Sequence, residues 1–255
     1  MRATTHPLPA RPSHAVAVRI ADAQAAEREG RRAEARTLYE RALHALGPGD
    51  ASLACGLLRW IARCHLDDGD AEAAADTAEA ALAVAEACGD PAGVAHALNV
   101  QGNVARAQGE MDAAEALYLR ACEHAAAAGE ARLLAMLEQN IGIVANIRGD
   151  YRAALKRYRA GLAAHRALGQ DLYAAHALNN LGMLYTDLGR WRAAERAYRE
   201  AVELCVALGD AATQARVEGN RTELLIAQRR WAEARRACES AYALARIVGD
   251  TSALG

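Results

Sequence analysis

Polar side chains that could grip a polypeptide recur in this sequence at a fixed interval. Asn99, Gln139 and Asn179 stand 40 residues apart, and so do Asn140, Asn180 and Asn220. His96, Met136, His176 and Arg216 form a further column at the same interval, and Arg63, Asn103, Ile143, Met183 and Glu223 form another. A carboxamide donates and accepts at once, so a ladder of Asn and Gln suits the main chain of an extended peptide whatever its side chains. Two plainer uses remain open for the same residues: wetting a groove, or bonding one helix to the next.

Catalytic constellations are missing from the same residue types. Cys64 and His65 are adjacent, which on a helix turns their side chains about 100° apart and makes a poor nucleophile pair. Asp67, Asp68 and Asp70 surround Gly69, but the alternating ligands and terminal bidentate Glu of a calcium loop are absent. A turn with an N-cap Asp explains them. The six cysteines (Cys55, Cys64, Cys88, Cys122, Cys205 and Cys238) show no CxxC pair and read as small apolar residues in a reducing compartment. None of the four serines sits in a GxSxG turn, and no GxxxxGK[ST] loop occurs. Arg152, Lys156, Arg157 and Arg159 make a basic segment that suits a solvated face better than nucleic acid. No metal, cofactor or catalytic residue is expected.

The elements that must position the polar columns are marked by glycine. Gly49, Gly89, Gly129, Gly169, Gly209 and Gly249 fall every 40 residues, with Gly69, Gly109, Gly149 and Gly189 midway and Arg229 breaking the second series. Glycine ends a helix because it enters the left-handed region without a Cβ penalty. The residue after each of the first set is Asp50, Asp90, Glu130, Gln170, Asp210 or Asp250, and an acid there can cap the following helix. Asp90-Pro91 adds proline at the first helical position. The unit is therefore helix, turn, helix, turn, with helices of about 16–18 residues. The second helix carries an apolar stripe, seen as Trp191, Ala194, Tyr198, Ala201, Cys205 and Leu208, which one hairpin cannot bury alone.

The segment Leu178-Asn179-Asn180-Leu181-Gly182-Met183-Leu184-Tyr185, followed by Gly189, Ala194, Tyr198 and Ala201, closely resembles the tetratricopeptide repeat. The 40-residue period is similar to the long-helix variety of kinesin light chains and bacterial signalling proteins. The resemblance implies an all-α fold, a right-handed α-solenoid of about six stacked antiparallel helix hairpins. It spans residues 14–248, with units at about 14–46, 51–88, 91–128, 131–168, 171–208 and 211–248. In the first unit Ala35, Tyr39 and Ala42 match the second-helix positions. Ala105 and Ala145 stand where the pattern has Tyr185, and the unit-closing proline is absent throughout. Residues 1–13 are expected to be a disordered tail, and 249–255 a tail or the start of a truncated repeat.

The first helix of each hairpin lines the concave face in this family, so the resemblance places a peptide groove on His96, Asn99, Asn103, Gln139, Asn140, His176, Asn179, Asn180, Arg216 and Asn220. A non-catalytic protein- or peptide-binding scaffold or adaptor follows. The competing expectation is the sensor region of a bacterial signalling protein, such as a transcription regulator, a peptide receptor or a diguanylate cyclase, cut from a longer chain. A formal net charge of −2 gives no bulk attraction for nucleic acid or anionic membrane, and residues 1–13 lack the apolar stretch of a signal peptide. A cytoplasmic location is expected, and the Ala and Arg bias suggests bacterial coding. The last helix would leave Ala237, Tyr242 or Ile247 partly uncovered, which makes a homodimer through that edge a further expectation.

Overall fold

A computed structural model describes residues 13–28, 30–47 and 49–249. Apart from Ser13 and Gly249, the two expected tails lie outside these residues, as do Pro48 and Asp250. The described residues form twelve helices and no strand. They fall into two compact units that divide between Glu130 and Ala131.

Unit 1 holds α1 (His14–Arg28), α2 (Arg32–His44), α3 (Ala51–Asp67), α4 (Ala71–Ala87), α5 (Pro91–Ala107) and α6 (Met111–Ala128). Unit 2 holds α7 (Ala131–Ile147), α8 (Tyr151–Ala167), α9 (Asp171–Asp187), α10 (Trp191–Leu208), α11 (Ala211–Ala227) and α12 (Trp231–Val248). Within each unit every odd-numbered helix pairs with the next even one as a hairpin, and that hairpin packs on the following odd helix. Odd helices also touch one another directly, α3 with α5, α7 with α9, and α9 with α11. Each unit is thus an all-α solenoid of helical hairpins.

Turn chemistry fixes the helix ends. Gly209 closes α10 with φ 68°, a conformation that costs glycine nothing. Asp70, Asp90, Asp150 and Asp210 each accept a hydrogen bond from the backbone N–H three residues on, at 2.9–3.1 Å. Two of the expected caps are used otherwise. Asp50 accepts from Gly47 N–H at 3.0 Å, and Gln170 turns its Oε1 toward His165. Arg229 takes the left-handed conformation at φ 58° in the place of a glycine. An L-residue there costs about 1–2 kcal/mol. Arg229→Gly is therefore expected to raise the stability of unit 2 by about 1 kcal/mol in thermal unfolding. An unchanged midpoint would mean that the arginine side chain repays the strain.

The core is built from Ala and Leu, with a tyrosine peg in four of the six hairpins; Ala78 and Cys238 take that place in α4 and α12. Ala194, Tyr198, Ala201 and Cys205 are all buried, whereas Trp191 and Leu208, the two ends of the expected stripe, are exposed. The pegs Tyr118, Tyr158 and Tyr198 lie against Gly102, Gly142 and Gly182 of the partner helix. A Cβ built on any of the three glycines would come within 2.4–2.7 Å of a tyrosine ring carbon. The small residue and the aromatic of the repeat are thus two halves of one contact. In the first hairpin Tyr39 instead packs on Trp60, with ring centroids 5.2 Å apart, and its hydroxyl donates to Glu27. At the other end Ala237 is covered, while Tyr242 and Ile247 are exposed.

Candidate functional site

The polar columns lie on the odd helices. In unit 2 they converge on a cleft of about 240 Å³, lined from α7 by Met136, Gln139, Asn140 and Ile143, from α9 by Tyr173, His176, Asn179 and Asn180, and from α11 by Thr213 and Arg216. Six residues expected in the groove therefore meet: Gln139, Asn140, His176, Asn179, Asn180 and Arg216. Asn220 adjoins them through a 3.0 Å bond from its Nδ2 to Asn179 Oδ1. His96, Asn99 and Asn103 belong to unit 1, on α5. Tyr173 and Thr213 were not anticipated. Each stands three residues before a column residue, His176 and Arg216, and so shares its helical face; that spacing was the available signal.

The orientation of the amides follows from one acceptor that cannot switch roles. The main-chain oxygen of Tyr173 lies 3.4 Å from Gln139 Nε2, so that nitrogen is the donor and Gln139 Oε1 faces the other way. Asn180 Nδ2 then donates to Oε1 at 3.1 Å. Asn180, a lining residue of the cleft, is left with its Oδ1 as an acceptor that makes no hydrogen bond among the described residues. The same logic leaves Asn220 presenting Oδ1, since its Nδ2 donates to Asn179 and to Met183 Sδ at 3.3 Å. Asn99, Gln139 and Asn179 are buried, so this column ties odd helices together more than it faces solvent. Asn103 Oδ1 accepts from the Tyr118 hydroxyl at 2.8 Å, which makes it part of its own hairpin.

Gln139 owes its room to a departure in α8. Where α6 and α10 carry Ala121 and Ala201, α8 has Gly161, and a Cβ there would stand 2.9 Å from Gln139 Cγ. The longer amide and the missing methyl compensate each other.

An aromatic stack floors the cleft. His165 of α8 lies 5.3 Å from Tyr173 in a stacked pair, and Tyr173 meets His176 edge-on at 6.1 Å. His165 is fully covered, and Gln170 of the α8–α9 turn lies over it with Oε1 2.9 Å from Nδ1. Burial lowers its pKa, opposed by the Gln170 contact. Burial first, and the Arg216 charge second, push His176 down to about 4. Burial and then Arg59 do the same for His96, also to about 4. Both imidazoles are therefore neutral at pH 7.

Elsewhere the residues weighed for chemistry are engaged in packing. Burial and Glu27 raise the Cys64 thiol to about 11, which withholds the thiolate. Arg157 pairs with Glu138 at 2.8 Å and Arg159 donates to the Tyr185 hydroxyl at 3.0 Å, so half of the basic segment serves its neighbours. Among the described residues no group of three or more His, Cys, Asp or Glu could hold a metal ion, and no helix is long and apolar enough to cross a membrane.

The repeat, the tyrosine-on-glycine contact and the hairpin stacking agree with comparison to known proteins. Tetratricopeptide repeat profiles match residues 132–205 and 61–131. The chain belongs to the tetratricopeptide repeat family. No curated protein matches the sequence. Among solved structures, a Rap protein complexed with competence and sporulation factor superposes with a TM-score of 0.74 at 15% identity, covering 94% of this chain and 75% of the other. The Rap conjugation gene regulator of plasmid pLS20, in complex with the Phr* peptide, gives 0.73 at 14% identity over 94% and 76%. BtubC (BKLC) from P. vanneervenii gives 0.66 at 18% identity over 93% and 94%. At these identities the likeness is one of fold.

Proposed function

We propose that this tetratricopeptide repeat protein is a non-catalytic scaffold or adaptor that holds a protein segment in extended form along the odd helices. The observation that carries the reading is the unit 2 cleft of about 240 Å³, which Asn140, Asn180, His176 and Arg216 line from three successive odd helices. A bound main chain would donate its N–H groups to the Asn acceptors, as in other modes of strand-like recognition. The peptide complexes of the Rap relatives support the same use of this fold, as a holder of short peptides. They also favour the second form of the reading, in which the repeats are the sensing part of a bacterial signalling system, read out in trans or by a further segment. Both forms place the protein in the cytoplasm and need neither nucleic acid nor membrane.

Capture of partners from a cell extract tests this. The double variant Asn140→Ala, Asn180→Ala is expected to lose about tenfold or more in affinity for a captured partner, the scale of one or two lost hydrogen bonds to a buried chain. Asn180→Ala also strips Gln139 Oε1 of its donor, so a thermal melt accompanies each measurement, and Asn220→Ala provides a variant that leaves that bond intact. Retained affinity in a folded double variant would remove the groove from the interaction. The exposed Tyr242 and Ile247 on α12 are proposed as the contact of a homodimer. Light scattering across a dilution series then shows a mass that doubles with concentration; a constant monomer mass rules the dimer out.

A further inference from the structure

The lining of the unit 2 cleft carries one formal charge, and the carboxylate beside it, Asp210, reaches it only through Thr213. The ten lining residues include Arg216 and no carboxylate. Arg216 is exposed, and among the described residues it makes no ion pair. Its guanidinium is held by two neutral partners, His176 Nε2 and Thr213 Oγ1, each at 3.4 Å. Asp210, at the start of α11, has its two oxygens committed to Thr213, one to the backbone N–H at 2.9 Å and one to the hydroxyl at 3.2 Å. A planar cation fixed in place without a counter-ion, in a recess lacking acids, is complementary to a carboxylate.

Resting on the groove reading above, we propose that the Arg216–His176 end of the cleft receives the carboxylate side chain of an acidic residue within an extended peptide. The source is a side chain and not a peptide C-terminus because main-chain acceptors stand on both helices that meet here. Asn180 in the cleft lining on α9, and Asn220 on α11 one turn beyond Arg216, each commit their Nδ2 and keep Oδ1 as an unused acceptor for a peptide N–H. The peptide backbone is held along both, and Arg216 meets what projects from it.

Proton uptake accompanies this contact. The groups that face His176 are Arg216 and Asp210 on α11, His165 on α8, and Tyr173 on its own helix. Its neutral state rests on burial and on the Arg216 charge. A carboxylate at Arg216 offsets that charge and adds an opposite one. Protonation at Nε2 gives up the Arg216 contact to that atom, which frees the guanidinium for the ligand, and the new N–H has Thr213 Oγ1 as acceptor at 3.1 Å while the threonine hydroxyl stays on Asp210. Binding of the acidic peptide therefore strengthens as pH falls from neutral toward the free-state His176 value of about 4.

Selection of random dodecapeptides displayed on phage against the full chain at pH 7 supplies the probes. They are then synthesised with amidated C-termini and titrated by fluorescence anisotropy. The expected result is a shared Asp or Glu position whose change to Gln or Asn weakens binding about tenfold. In the folded Arg216→Gln protein the acidic and amide peptides should bind alike. His176→Gln should abolish the strengthening at low pH while keeping the preference for the acid. Binders without an acidic position, or an acid preference that survives Arg216→Gln, overturn the proposal and leave the groove standing. Binding that requires a free C-terminal carboxylate overturns the assignment to a side chain. Failure to select any peptide counts against the groove itself and takes this proposal with it.

Discussion

Gly182→Ala is expected to lower the stability of unit 2 by about 2 kcal/mol, although alanine is the better helix former. Replacing a mid-helix glycine by alanine ordinarily gains about 1 kcal/mol. Here the new methyl would lie 2.5 Å from Tyr198 Cε1 and 2.7 Å from both Cδ1 and Cζ. Tyr198 is 1% exposed and packed among Ala194, Ala201 and Leu184, so the ring has nowhere to retreat. Overpacking of this kind costs about 1–3 kcal/mol, and three simultaneous short contacts put this case at the upper end. The thermal midpoint should fall by roughly 5 °C. Two controls give the result its meaning. Gly219→Ala, in α11 with nothing within 4 Å of its built Cβ, should stabilise by the ordinary amount. In a Tyr198→Leu background Gly182→Ala should lose most of its penalty. A midpoint that rises with Gly182→Ala alone would mean that the ring does not rest on this glycine.

Acid should weaken both units, through His96 in unit 1 and through His176, with His165 acting in the same direction, in unit 2. His96 and His176 titrate near 4 in the folded chain, against 6.5 for an ordinary histidine. Above pH 6.5 neither the folded nor the unfolded chain is protonated at these sites, and stability is at its full value. Between 6.5 and about 4 the unfolded chain binds the proton and the folded chain does not, so stability falls as pH falls. The loss reaches about 3 kcal/mol per histidine by pH 4, on the order of 1.4 kcal/mol for each pH unit. Chemical unfolding at a series of pH values measures this directly. His176→Gln should flatten the slope for unit 2, and His96→Gln that for unit 1. A wild-type stability that stays level from pH 7 to 5 would contradict the burial of the two rings. The proton taken up with an acidic ligand has the opposite sign, so such a ligand would protect unit 2 most at low pH.

Particular residues show how much could be read before folding. The Gly–Asp turns, the 40-residue period and the Gly182–Tyr198 pairing are local or strictly periodic, and they fixed the helices and the hairpins. Two expected helix caps failed where a nearer partner competed. Asp50 turned back to Gly47, and Gln170 to His165, through contacts of three and five residues that a cap rule does not weigh. The columns of Asn were legible as columns, but their use was not. A 40-residue repeat suggests like residues facing like. The bonds instead run from Asn180 to Gln139 and from Asn220 to Asn179, a separation of 41. The stagger between neighbouring odd helices sets that offset, and it arises from how whole hairpins pack.

The sequence by itself determined that this chain is a stack of tetratricopeptide hairpins with a polar lining, because helix ends and apolar periodicity are decided within about one turn of chain. Tertiary structure alone decided which amide ends point outward, that His176 is neutral, and that Arg216 stands beside Tyr173 and Thr213 without a counter-ion. Those properties depend on side chains brought together from α7, α9 and α11, and on the water their packing removes.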